Sequence, residues 1–235
     1  MKRKLTILTI LFFNIALFPQ TWENPHTIDN EWYLYGVGDP YVLKYQGKFY
    51  LYCSTKDIET GIKCWSSKDL FTWKYEGLCA TDEITKGAYA PEVIYWGGNF
   101  YMYTSPAGNG HYILKGDSPT GPFEIITGNL GHSIDGSVFK QDDGSLYFYH
   151  ASEEGIYGHA MPSPTSLGSD VLLNAYMNGW TEGPCVIKRN DIYYMIYTGN
   201  HVRSYGYRID YASSKAGPIS GFEPAENQNP IILNS

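Results

Sequence analysis

An all-β propeller is the fold that this 235-residue sequence predicts. Three observations carry the prediction. One phrase occurs four times, its starts 51, 45 and 47 residues apart. Each return reads as a hairpin: a short apolar strand, a polar turn and a Tyr-rich second strand with period-2 alternation. More strand-like sequence follows each hairpin with hardly a helical period, giving about four strands per blade-sized repeat. A β-sandwich or a β-helix would also be all-β, but a sandwich does not repeat one phrase at this period.

Residues 1–20, MKRKLTILTILFFNIALFPQ, come first. A basic tip precedes an apolar run from Leu5 to Phe18 that Asn14 interrupts. The run is short for a membrane span and reads as a cleaved export signal, with a retained anchor as the rival. Without Lys2, Arg3 and Lys4 the chain keeps 14 basic against 24 acidic side chains, a net charge of about −10. Such a surface repels phosphate backbones, and no basic run appears, so nucleic acid is excluded as a partner. The excess is aromatic, with 22 Tyr, 10 Phe and 6 Trp. Strand propensity explains most of these, and stacking on flat, hydroxyl-rich ligands is their other use.

EWYLYG, residues 31–36, reads as a strand that closes the ring from the N-terminal side. Then the phrases line up: DPYVLKYQGKFYLYCS from Asp39, APEVIYWGGNFYMYTS from Ala90, DGSVFKQDDGSLYFYH from Asp135 and EGPCVIKRNDIYYMIYTG from Glu182. Their turns are Gln46-Gly47, Gly97-Gly98, Asp143-Gly144 and Asn190-Asp191. A fifth repeat would start near Asn229-Pro230, five residues before the last, which marks the expected domain, 21–235, as C-terminally incomplete. Cys53 and Cys64 flank the first hairpin and could pair, although small core residues are the favoured reading of all four cysteines.

In a propeller the innermost strand of each blade runs along the central axis, so equivalent positions ring one mouth of the channel. Aligned on Val42, Val93, Val138 and Val186, the residues Asp39, Ala90 and Asp135 share one slot, three before the Val. Glu182 falls one residue ahead of that slot, where its longer side chain can reach inward. Three carboxylates from three blades then face one funnel. Crowding and burial raise the pKa of at least one of them. Sugar hydrolysis uses such a set: one acid protonates the leaving oxygen, a carboxylate activates water, and a third holds the donor. Calcium also wants several oxygens. Asp-Pro, Asp-Gly and Glu-Gly are ordinary strand-opening turns as well, which accounts for any one of the three better than for all in register. His111, His132, His150, His159 and His201 show no metal-ligand spacing and read as loop or strand residues, so no metal site is expected.

The same residues resemble glycoside hydrolase family 43 from about Gly36 to Pro224. GDPYVLKYQGKFYLYCST is similar to the family's opening Asp-Pro motif, and SSKDLFTWKYEG to its end of blade one. AYAPEV is similar to the aromatic-Ala-Pro-acid opening of blade two, and SIDGSVFKQDDGSLYFYH to the Ile-Asp motif of blade three, with Gly136 where Pro is frequent. TEGPCVIKRNDIYYMIYTGN resembles the Glu-Gly-Pro motif of blade four. SPTGPFE and SSKAGPISGF resemble its blade endings, Ile219 departing from the pattern. The resemblance implies a five-bladed β-propeller, about four blades present and the fifth truncated. It implies Asp39 as general base, Glu182 as general acid, and Asp135 as the residue that orients Glu182 and tunes its pKa, in a reaction that inverts the anomeric carbon. Tyr89 falls where the family often has Trp, and is the candidate substrate-stacking wall, with a packed strand residue as the other reading. No cofactor is required for this chemistry. The resemblance also allows a calcium ion in the central channel, but the axial His associated with that water-ligated ion in some members belongs to the fifth blade, as does an Arg near the sugar, and neither is in this chain. The implied activity is hydrolysis of arabinose- or xylose-containing plant cell-wall glycans by an exported enzyme, with no stable membrane insertion once the signal is cleaved. A non-catalytic glycan-binding propeller would need the aromatics but not all three acids.

Overall fold

A computed structural model describes residues 28–177, 179–201 and 203–233. The export signal expected over residues 1–20 lies outside the described residues. The hairpins expected from the repeat form, and three of them close through two-residue turns with both residues at positive φ. These are Gln46-Gly47 (47° and 76°), Gly97-Gly98 (57° and 88°) and Asn190-Asp191 (51° and 59°). That backbone matches the right-handed twist of the flanking strands, and Gly and Asn adopt it at least cost.

Each hairpin grows into a four-stranded antiparallel blade. The first is β1 (Tyr41–Tyr45), β2 (Lys48–Tyr52), β3 (Ile62–Ser67) and β4 (Lys74–Ala80). The second is β5 (Ala88–Trp96), β6 (Asn99–Pro106), β7 (Tyr112–Gly116) and β8 (Glu124–Ile125). The third is β9 (Ser137–Lys140), β10 (Leu146–Ser152), β11 (Gly155–Met161) and β12 (Asp170–Leu172). The fourth is β13 (Thr181–Arg189), β14 (Ile192–Gly199), β15 (Arg208–Ser214) and β16 (Glu223–Pro224). The third and fourth blades also share one bridging pair, Ser152 with Thr181.

The core lies between blades, one apolar layer per junction. Tyr52, Val93 and Leu114 belong to the layer between blades one and two. Tyr103, Val138 and Phe148 fill the next junction, and Tyr149, Val186 and Met195 the one after. Each fully buried side chain of this size is worth about 1.5–3 kcal/mol. The aligned valines therefore mark the face that packs on the preceding blade. Val42, their counterpart in blade one, is 40% exposed.

One Tyr of the second strand in three blades clasps the next blade. Tyr52, Tyr103 and Tyr149 donate their hydroxyls to the carbonyls of Pro119, Pro164 and Pro218, at 2.5, 2.7 and 2.8 Å. Each acceptor lies in the loop between the third and fourth strands of the following blade. The Tyr-rich strands thus pair an apolar ring inside a junction with a satisfied hydroxyl at its rim.

Two expectations are corrected. EWYLYG is not a closing strand: Trp32 and Gly36 bridge each other across a tight turn in which Leu34 has φ 58°. Trp32 instead packs with Leu51, Cys53 and Trp65 on the first blade's other face. The segment after Asn229-Pro230 does not open a new repeat among the described residues. Its β17 (Ile232–Leu233) pairs with Arg208–Ile209 of β15 and extends the outer edge of blade four. The favoured reading of the cysteines as unpaired core residues holds for Cys53, Cys64 and Cys79, which are free and buried, whereas Cys185 is a free thiol at an exposed position. Cys64 sits opposite Tyr52, so its neighbour Cys53 points to the other face of the blade, and no disulfide can span a sheet that way.

Candidate active site

The slot three residues before each aligned Val has the same backbone in all four blades. Asp39, Ala90, Asp135 and Gly183 have φ of 46°, 40°, 59° and 59°. The left-handed region is uncommon for residues with a Cβ, and Asp enters it more readily than most. In β5 and β13 the slot coincides with a break in pairing, between Tyr89 and Glu92 and between Glu182 and Cys185. Pro91 and Pro184 occupy these bulges, where the ladder asks for no donor. Bulge and left-handed residue together aim backbone and side chains into the channel mouth.

Asp39, Asp135 and Glu182 all line one cleft of about 720 Å³. Asp39 Oδ2 accepts from Ser54 Oγ at 2.5 Å, and that same Oγ accepts from the Ala90 N–H at 2.8 Å. Asp135 Oδ2 accepts from the Gly183 N–H at 2.9 Å. Glu182 is held at both oxygens: Trp180 Nε1 donates to Oε2 at 2.6 Å and Tyr207 Oη to Oε1 at 2.8 Å. Burial pushes the Asp135 carboxyl up to about 7, helped by the charge of Glu182 and then of Asp39. The Gly183 N–H opposes this by favouring the ionised form. The three acids expected from the sequence are therefore one electrostatic unit.

The sequence profile described as "Glycosyl hydrolases family 43" matches residues 32–234. The chain belongs to glycosyl hydrolase family 43. It is 27% identical, over its whole length, to 46% of a non-reducing end α-L-arabinofuranosidase of Bacteroides ovatus. A xylan 1,3-β-xylosidase of a Vibrio species is 26% identical, the match covering 83% of this chain and 42% of the relative. The chain thus spans less than half the length of these two curated relatives. A crystal structure of a thermostable family-43 glycoside hydrolase superposes with a TM-score of 0.73 at 31% identity, covering 84% of this chain and 74% of the other.

Within this family-43 chain Tyr89 lines the cleft, with its hydroxyl 3.5 Å from Asp57 Oδ1. Tyr35, Asp57, Arg203 and Tyr207 line it too, and the repeat gave no sign of them. Arg203 and Tyr207 come from the segment between β14 and β15, which has no counterpart in the other phrases. Gly136, where the family often has Pro, has a local reason. A Cβ there would lie 2.6 Å from His111 Nε2 and 2.7 Å from the Phe148 ring. The two His111 ring nitrogens are buried without a partner, and burial pushes this imidazole down to about 3.

Glu92, the acid of the blade-two motif, is half-buried in the wall of the same cleft and accepts from the Val138 N–H at 2.7 Å. Burial pushes its carboxyl up to about 7. The Ser137 hydroxyl also bonds it, and Tyr41, Tyr103 and Cys185 lie close enough to feel its charge. Calcium takes six to eight oxygens. One carboxylate already engaged by a backbone N–H and a hydroxyl, with two phenols and a thiol around it, does not fit that ion.

The sequence expects no metal ligands among the histidines, yet the fold gathers His132, His150 and His159. In sequence they are unremarkable because one comes from a loop and two from neighbouring strands.

Proposed function

We propose that the propeller is a glycoside hydrolase that cleaves arabinose- or xylose-containing cell-wall glycans by inverting general acid/base catalysis. One observation carries this reading: carboxylates from blades one, three and four converge on one cleft, and Asp135 feels both of the others. Asp39, fixed by Ser54, is the base that activates water. Glu182 is the acid that protonates the leaving oxygen. Trp180 Nε1 can only donate, so it keeps Oε2 an acceptor; the transferable proton sits on Oε1 once the Tyr207 hydroxyl turns its hydrogen from Oε1 to Thr198 Oγ1, 3.2 Å away. Asp135 accepts from the backbone N–H that follows Glu182 and its ionisation is coupled to that of Glu182, which supports its role as the orienting residue. Neither proton transfer requires a cofactor.

The arabinofuranosidase and xylosidase relatives support a pentose-containing oligo- or polysaccharide as substrate. Tyr35 and Tyr89 supply flat walls for the ring. Export is the reading of the basic, then apolar, residues 1–20. Among the described residues no helix is long and apolar enough to cross a membrane. A non-catalytic glycan binder would not need the Trp180 and Tyr207 hydrogen bonds that fix Glu182.

Sugar release from nitrophenyl α-L-arabinofuranoside, nitrophenyl β-D-xyloside and linear arabinan tests the proposal. Asp39→Ala and Glu182→Ala should each lower the rate by about 10²–10⁴-fold, the usual contribution of a positioned acid or base. NMR of the first anomer released should show inversion. A full-length protein that binds these glycans without cleaving them would overturn the hydrolase reading, and a normal rate in Glu182→Ala would overturn the acid's assignment.

A further inference from the structure

The histidine cluster offers donor atoms that the hydrolysis does not use. His132 precedes β9, His150 lies in β10 and His159 in β11, and one ring nitrogen from each lies within 4.8 Å of the others. The hairpin register produces the pair: His150 is opposite Tyr157 and His159 opposite Phe148, so the two are diagonal neighbours on one face. The His132 ring approaches to 4.4 Å from that of His150 and 4.7 Å from that of His159.

Hydrogen bonding fixes the tautomers. His150 Nδ1 is 3.0 Å from the Ala151 carbonyl oxygen, and His159 Nδ1 is 3.0 Å from that of Gly168. A carbonyl only accepts, so both Nδ1 atoms carry hydrogen, and in the neutral rings both Nε2 atoms carry lone pairs. Those Nε2 atoms face each other at 3.1 Å. Two lone pairs at that distance repel unless an electron-poor centre sits against both.

We propose that His132, His150 and His159 bind a divalent transition metal of the zinc class. Imidazole nitrogen suits zinc, copper or nickel rather than calcium or magnesium. An Nδ1–H held by a backbone carbonyl is the outer contact that metal-binding histidines characteristically make. Nitrogens about 2.0–2.1 Å from a tetrahedral zinc stand roughly 3.3 Å from one another. The His150–His159 pair is already at 3.1 Å, and His132 has at most ~1.5 Å to close. His150 and His159 are 4% and 1% exposed, whereas His132 is half-buried on a loop and provides both the adjustment and the entry path. Asp170, paired with His159 in the β11–β12 ladder, places negative charge near His132 and His150.

The site is tied to the acids through the backbone. The Ala151 N–H donates to the Ile134 carbonyl at 2.9 Å, and the carbonyl of the same Ala151 holds His150. Ile134 is bonded to Asp135, so a metal on the three histidines braces the loop that presents this carboxylate.

The purified full chain, stripped with chelator, reloaded with excess zinc and desalted, should retain about one equivalent by mass spectrometry of the metal. His132→Ala and the double variant His150→Gln/His159→Gln should lose it, with affinity lowered roughly tenfold or more. His201→Ala, outside the cluster, should retain it. Cobalt should give visible absorption bands in the wild type and none in His132→Ala, which keeps the half-buried loop foldable. Zinc should raise the melting temperature of the wild type and leave that of His132→Ala unmoved. Zinc retained equally by all variants would overturn the proposal, as would no retention by the wild type or NMR evidence that one proton is shared between His150 and His159.

Discussion

Replacing Asp135 with Asn should stabilise the protein more at pH 8 than at pH 5. In the folded chain burial, then Glu182, then Asp39 push this carboxyl up to about 7, whereas the unfolded chain ionises it near 3.8. Below 3.8 both states hold the proton and nothing is lost. Between 3.8 and about 7 only the unfolded state releases it, so stability falls as pH rises, and above 7 the whole cost is present. At about 1.36 kcal/mol per pH unit the full cost is about 4 kcal/mol, of which about 2.6 accrues between pH 5 and pH 8. Solvent reaching the carboxyl through the cleft screens this to about 1.5–2.5 kcal/mol. The amide keeps an acceptor for the Gly183 N–H but cannot ionise. Urea unfolding of both proteins at both pH values, at fixed ionic strength, gives the double difference, in which groups titrating alike in both proteins, Glu92 included, cancel. A double difference within about 0.5 kcal/mol of zero would refute the argument that burial and crowding hold the proton on Asp135.

Glu182 is the larger of the two charges acting on Asp135, so in a Glu182→Gln background the same double difference should shrink; an unchanged value would mean that burial acts alone. Ala90→Gly relieves a left-handed residue that carries a Cβ and should raise stability by about 1 kcal/mol in urea unfolding, with no gain if the slot is unstrained. Tyr103→Phe and Tyr149→Phe each remove a clasp to the next blade and should cost about 1–2 kcal/mol with unchanged far-UV circular dichroism, and a cost below about 0.3 kcal/mol would show that the rim hydroxyls bond equally well to water.

The fold was legible because a propeller repeats a local motif, and local motifs leave turn residues and alternation in the sequence. Gln46-Gly47, Gly97-Gly98 and Asn190-Asp191 announce their turns, and the aligned valines mark a packed face. What repeats was read, and what does not repeat was missed. Trp180 and Tyr207 bond Glu182 from segments flanking the strands, where no second copy exposes a pattern. The histidine cluster needs a diagonal across a hairpin plus a loop, a relation that sequence spacing does not encode. EWYLYG has the aromatic composition of a strand, yet Leu34 turns left-handed and the chain folds back to bury Trp32. Composition describes which side chains are apolar, and only packing decides which face they cover.

The left-handed slot explains why the acids sit where they do. At φ of 40–59° the slot residue turns its N–H toward the acid of the preceding blade. The Ala90 N–H reaches Asp39 through Ser54, and the Gly183 N–H reaches Asp135 directly. Asp tolerates this conformation and has the shortest side chain that carries a carboxylate, so it can occupy the slot itself in blades one and three. Glu gains no such tolerance. In blade four the slot is therefore Gly183, and Glu182 acts from one residue upstream with one more methylene of reach. The offset that looks like an imperfection in the fourth repeat is what lets a single backbone device hold two aspartates and a glutamate around one cleft. Gly183→Ala tests this directly. The new Cβ would stand 3.1 Å from Thr198 Oγ1 in a left-handed backbone, at a cost of about 1–2 kcal/mol. Relaxing that strain must move the N–H that Asp135 accepts, so the variant should lose turnover as well as stability. Full turnover in a destabilised Gly183→Ala protein would separate the slot's backbone from the placement of the acids.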